Sequence, residues 1–129
     1  MNGIIPKKVC KEYPETTVHL FLHCPQVTSL WNNMVQWIKN RLLIQIELTD
    51  SRKILGYEHY DQHFWPLNFL LLISRQYIFL CAKNNCKPNF YFLQKKCEHK
   101  FNEQKCLSVL NQTEAIFNVK WELWKNIFV

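Results

Sequence analysis

From Pro25 to Gln45 the apolar residues Val27, Leu30, Trp31, Met34, Ile38 and Leu42 recur at intervals of three and four, with Gln26, Ser29, Asn32, Asn33, Gln36 and Asn40 between them. A helix of 3.6 residues per turn gathers the first set on one face and the second on another, whereas a strand would scatter both. Proline is favoured in a first helical turn because its missing N–H has no intrahelical partner there, so Pro25 marks where the helix starts. Only two glycines, Gly3 and Gly56, occur in 129 residues. An all-β sandwich or barrel needs many tight turns and would use more.

The same pattern recurs downstream. Pro66 opens a second long helix reaching about Lys83, with Leu67, Leu70, Leu71, Tyr77, Ile78 and Cys81 on one face. It is apolar over most of its circumference, which marks it as the central element. Residues 83–89, rich in Asn and ending Lys87-Pro88-Asn89, compose a turn. A third helix follows from about Phe90 to Leu107, with Leu93, Cys97, Phe101 and Gln104 inside and Lys95, Glu98, His99, Asn102 and Lys105 outside. Asn111, followed three residues later by Glu114, has the form of a helix N-terminus. The last helix then carries Phe117, Trp121, Trp124 and Phe128. Between Glu47 and Gln62 the periodicity dissolves into a connector, with a short extended piece expected around Ile54 to Tyr57. Upstream, Thr16 or Thr17 is placed to cap a short helix bearing His19, Leu20 and Phe21. The expected fold is mostly α: a single small domain of about four helices spanning 25–129, preceded by a short Cys/His segment over 1–24.

Sixteen Lys plus Arg against ten Asp plus Glu give a net charge of +6, which favours an anionic partner. The excess is evenly spread, +3 over residues 1–83 and +3 over 84–129. There is no basic run, so a nucleic-acid surface has to be assembled by folding. The N-terminus lacks the apolar core of a secretory signal. Six cysteines are therefore expected reduced, in an intracellular protein of the cytoplasm or nucleus. Phe64 to Ala82 is the nearest approach to a membrane span, but Pro66, Asn68, Ser74, Arg75 and Gln76 interrupt it and favour a buried core helix. No membrane partner is expected.

Cys10, His19 and Cys24 have the order and the ligand types of a zinc site, separated by eight and then four residues. Thiolate and imidazole suit tetrahedral zinc, but a structural site takes four donors. The expected fourth, two or three residues before Cys10, falls on Lys7 or Pro6, and neither binds metal. His23 is the one nearby alternative, awkward because it adjoins Cys24. Two readings stay open: a three-ligand zinc site with an incomplete set, and an unmetallated segment in which Leu20, Phe21, Leu22 and Trp31 pack unaided. His59 and His63, four apart in the connector, read as surface histidines.

The string Cys10, Glu15-Thr16, His19-Leu20-Phe21, Cys24-Pro25 and then Trp31 resembles the C-terminal, zinc-binding region of LINE-type, non-LTR retrotransposon reverse transcriptases. The likeness continues through Leu70-Leu71-Leu72-Ile73 with Arg75, Tyr77, Ile78 and Cys81, through Lys87-Pro88, and to Lys120-Trp121-Glu122, and so spans about residues 10–129. It implies that Cys10, His19 and Cys24 are the second, third and fourth zinc ligands, and that the chain is a terminal fragment beginning at the zinc knuckle. It also implies binding of RNA or DNA, alongside an upstream reverse transcriptase domain. The polymerase itself is absent, since no Asp-Asp pair of the two-metal kind occurs.

A non-catalytic nucleic-acid-binding module is thus the leading reading. Arg75, Lys83, Lys87, Lys95, Lys96 and Lys100 are the candidate phosphate contacts, and aromatic side chains are the candidates for stacking on unpaired bases. The alternative is a structural or protein-interaction helical domain, or a decayed reading frame without activity of its own. Enzymatic roles find no support. No nucleophile signature surrounds any cysteine, no glycine loop exists to cradle phosphate, and no small-molecule substrate is expected.

Overall fold

The computed structural model describes residues 19–57 and 64–128, with the His19 side chain outside that set. Cys10, Thr16, Thr17, His59 and His63 lie outside the described residues. Among the described residues five α-helices carry the fold: α1 (Pro25–Leu42), α2 (Asp50–Leu55), α3 (Trp65–Lys83), α4 (Phe90–Leu110) and α5 (Glu114–Trp121). A π-helical turn, His19–His23, precedes α1, and a 3-10 turn, Glu122–Trp124, follows α5. No strand occurs among the described residues.

Helix α1 buries Val27, Leu30, Trp31, Met34, Trp37 and Ile38. Five of these are the residues the apolar spacing selects. Trp37 joins them, and Leu42 is only half-buried. The helix ends three residues short of Gln45, where Leu43 takes a left-handed φ of 56° and its N–H donates to Lys39 O at 2.9 Å. The preceding π turn is tied on from above: Trp31 Nε1 donates to Phe21 O at 2.8 Å, and Thr28 Oγ1 to Leu22 O at 3.3 Å.

The connector is not extended at Ile54 to Tyr57. Thr49 caps a helix there, its Oγ1 accepting from Arg52 N at 3.2 Å, and the turn runs to Leu55. A single cap of this kind outweighs the weak β preference of an Ile-Leu pair. Gly56 follows at φ 79°, and Tyr57 is then pinned to α3 by Asn68.

Helix α3 is central as expected, burying residues from Pro66 to Ala82 around most of its girth. By length and composition alone it reaches the threshold of a membrane-crossing helix, with a mean hydropathy of 1.2. Half of that window is buried in the fold, against the His19–His23 turn, α2, α4 and α5. Ser74, fully buried, donates its hydroxyl to Leu70 O at 2.7 Å, with Met34 Sδ of α1 3.6 Å away.

Helix α4 begins where Asn89 Oδ1 accepts from Phe92 N at 3.1 Å and extends one turn beyond the expected Leu107. Asn111 is not the N-cap of the last helix. It closes α4, with Gln112 at φ 59° and Thr113 N donating to Ser108 O at 2.8 Å, and Thr113 occupies the N-cap of α5. The two-bond closure that ends a helix, with its left-handed residue, competes here with the Asn-x-x-Glu start and wins. Phe117, Trp121, Trp124 and Ile127 are buried and Phe128 is half-buried. Trp121 is the hub of this end. Its ring meets Trp65, Phe69 and Phe101 edge-on, at centroid distances of 5.7, 5.4 and 4.6 Å.

Candidate nucleic-acid interface

The corner between α3 and α4 is built from few residues, and Tyr77 sets it. Its hydroxyl accepts from Asn89 N at 2.9 Å and donates to Asn89 O at 3.2 Å, so the residue that caps α4 is clamped to the body of α3. Tyr77 is buried, and that burial pushes its phenol up to about 12. It stays a neutral hydroxyl able to make both bonds. Lys83 in the last turn of α3 and Lys87 in the connecting turn are both exposed at this corner.

Along the first turns of α4, Lys95, Lys96 and Lys100 follow within about 15 Å of Phe90, at a rise of about 1.5 Å per residue. Lys95 Nζ stands 3.7 Å from Glu98 and 5.5 Å from the Tyr91 ring centroid. Lys96 Nζ lies 6.0 Å over the Tyr77 ring, and Lys100 Nζ 3.8 Å from Glu103. These ion pairs are exposed and three apart on one helix, a class worth little in water, so a phosphate can replace the carboxylate at small cost. Five of the six expected basic residues therefore fall on one corner and one helix.

The sixth does not. Arg75 points to the other side of α3, where its guanidinium donates to Lys53 O at 3.2 Å and docks α2. It is half-buried, and desolvation lowers its pKa.

Two residues that charge alone does not select stand out on the same surface. Tyr91 and Phe92 are 59% and 61% exposed, whereas the other aromatic rings among the described residues are buried or half-buried. On a helix, Phe92 shares a face with Lys95, Lys96 and His99, at three, four and seven residues. The signal is present in the sequence: both rings fall off the stripe of Leu93, Cys97 and Phe101.

The N-terminal segment is described only in part. Cys10 and the His19 side chain lie outside the described residues. Cys24 is buried at the N-cap of α1, its carbonyl accepting from Val27 N at 3.0 Å and Thr28 N at 2.8 Å. His23 beside it is exposed. Among the described residues no three His, Cys, Asp or Glu side chains gather closely enough to hold a metal.

A groove of about 450 Å³ runs between α4 and the C-terminal turns, floored by Phe101, Phe117, Trp121 and Phe128. Its rim carries Glu98 and Glu122 as well as Lys105 and Lys125, so it has no net preference for an anion. The α3–α4 corner and the start of α4 carry Lys83, Lys87, Lys95, Lys96 and Lys100, with Glu98 and Glu103 among them.

Compared with protein-family models, curated proteins and solved structures, the chain matches none of them.

Proposed function

We propose that this chain is a non-catalytic module that binds single-stranded nucleic acid at the α3–α4 corner, in the manner of the C-terminal region of a LINE-type reverse transcriptase. Lys83, Lys87, Lys95, Lys96 and Lys100 meet phosphates, and Phe92 and Tyr91 stack on unpaired bases. The observation that carries this reading is the exposure of two adjacent aromatic rings among lysines, of which Lys95 and Lys100 pair with carboxylates weakly at the surface. Stacking on an aromatic platform is tolerant of sequence and is worth about 1–3 kcal/mol per base. Phosphate contacts add a salt-dependent term.

The test is fluorescence anisotropy of a labelled single-stranded RNA titrated with the purified chain at two salt concentrations. Phe92→Ala should weaken binding by about 5- to 150-fold, the equivalent of one lost stack. Lys95→Gln combined with Lys96→Gln should flatten the dependence of log affinity on log salt by about one or two phosphates. Unchanged affinity in Phe92→Ala, or binding indifferent to salt, overturns the proposal.

Zinc belongs to the same reading. Cys10, His19 and Cys24 are its proposed ligands, and zinc would supply a cross-link between the N-terminal segment and the start of α1. Cys24→Ser should then lower the zinc content of untagged protein, measured by elemental mass spectrometry. Equal content in the two proteins removes the site.

A further inference from the structure

The C-terminus of α3 closes in a two-bond turn: Cys86 N donates to Cys81 O at 2.9 Å, Asn85 N donates to Ala82 O at 3.3 Å, and Asn85 is left-handed at φ 55°. In this closure the residue two beyond the helix end folds back over the residue in the last turn, and their side chains meet. In most helices that contact is between two apolar groups. Here both positions are cysteine. The side chains do meet: the Cys86 thiol lies within hydrogen-bonding reach of the Cys81 sulfur, which places the two sulfurs side by side for the short bond that a disulfide requires.

The two thiols differ in setting. Cys81 is 3% exposed, whereas Cys86 is on the surface. Around the Cys81 sulfur stand the Tyr77 hydroxyl and the Cys86 thiol, with Lys96 in electrostatic range, and burial pushes its pKa up to about 11. Neither cysteine is in a disulfide. The other exposed thiol among the described residues, Cys106, lies near the far end of α4, about 24 Å from the start of that helix by helix rise.

We infer that Cys81 and Cys86 form a reversible dithiol–disulfide couple, a modification site that a small disulfide such as oxidised glutathione drives. The accessible Cys86 thiolate attacks one sulfur of the glutathione disulfide. A mixed S–S bond forms at Cys86, the glutathione S–S bond breaks, and one glutathione thiolate leaves. Cys81 then loses its proton to solvent and attacks the Cys86 sulfur, forming the Cys81–Cys86 bond and expelling the second glutathione thiolate. The two protein thiols are oxidised by two electrons in total, and the glutathione disulfide is reduced to two thiols. The second step is the slow one, because Cys81 is buried and mostly protonated. The resulting bridge locks the turn that carries Lys83 and leads to Lys87. Its formation does not depend on nucleic-acid binding.

The arrangement gives a direct assay. Lys83 lies between the cysteines, so trypsin places Cys81 in the peptide of residues 76–83 and Cys86 in that of residues 84–95, each with a single cysteine. The folded, reduced chain is equilibrated with oxidised glutathione, alkylated, digested without reductant and analysed by mass spectrometry. The expected result is loss of both alkylated peptides and appearance of the cross-linked pair, reversed by dithiothreitol. Cys106→Ser should leave the pair in place, and Cys86→Ser, a change at an exposed site, should abolish it and leave Cys81 alkylatable after unfolding. A glutathione adduct persisting on Cys86 with Cys81 reduced overturns the inference. So does a bridge from Cys86 to any other cysteine.

Discussion

Asn68 shows how much one side chain can organise. Its Oδ1 accepts from Tyr57 N at 2.6 Å and its Nδ2 donates to Tyr57 O at 3.1 Å, so a side-chain amide pairs with a whole backbone unit as a neighbouring strand would. The clamp holds Tyr57, whose ring stacks on Phe64 at 4.3 Å and whose hydroxyl donates to Glu47 O at 2.9 Å. It also explains the one glycine in the described residues. Gly56 sits at φ 79°, and a Cβ there would come 2.7 Å from Asn68 Oδ1. Asn68→Ala leaves a partly buried N–H and C=O without their partners, and it should cost about 1–3 kcal/mol in chemical denaturation. Asn68→Asp keeps the acceptor and loses the donor, so it should fall between the two. Equal stability for Asn68→Ala and the parent would mean that solvent replaces the clamp.

At the scale of elements, what is legible in the sequence depends on how much apolar surface a segment commits. Helices α1, α3 and α4 are readable because a long stripe such as Val27 to Ile38, or Leu67 to Cys81, admits one periodicity only. Short elements are decided by single contacts that periodicity does not see. Thr49 turns an expected extended piece into α2, and the closure at Gln112 and Thr113 reassigns Asn111 from the start of one helix to the end of another. The candidate interface divides the same way. Lys83, Lys87, Lys95, Lys96 and Lys100 are legible only as single lysines, because the charge excess is even along the chain and the corner that gathers them is made by the fold. Arg75 differs because its exposure depends on α2, which folds against it from more than twenty residues away. Tyr91 and Phe92 are exposed because α5 and α1 cover the other flank of α4, through Phe117 on Phe101 and Trp37 on Phe90. The pairing of Cys81 with Cys86 needs the left-handed Asn85, a conformation that composition alone does not dictate.

For the whole molecule, the interior between α3 and α4 is held by groups that must stay protonated. Cys97 of α4 is fully buried, and burial raises its thiol from 9.0 to about 12. Cys81 and Tyr77 of α3 rise to about 11 and about 12, from 9.0 and 10.0, for the same leading reason. A raised folded pKa means that the unfolded chain loses its proton first as pH increases. The stabilisation is therefore complete below pH 9, the ordinary thiol value, and is lost from there up to about 12. Each such proton tilts unfolding by about 1.4 kcal/mol per pH unit. Urea titrations of the reduced protein should give a constant stability from pH 7 to 8.5 and a steepening fall above it. In Cys97→Ala the absolute stability drops, but the slope above pH 9 should shrink by about one proton, about 1.4 kcal/mol per unit. That difference isolates Cys97 from Cys81 and Tyr77, whose pKa values are raised alongside it. If the two slopes coincide, water reaches the Cys97 sulfur in the native state, and the α3–α4 interface is looser than its zero exposure implies.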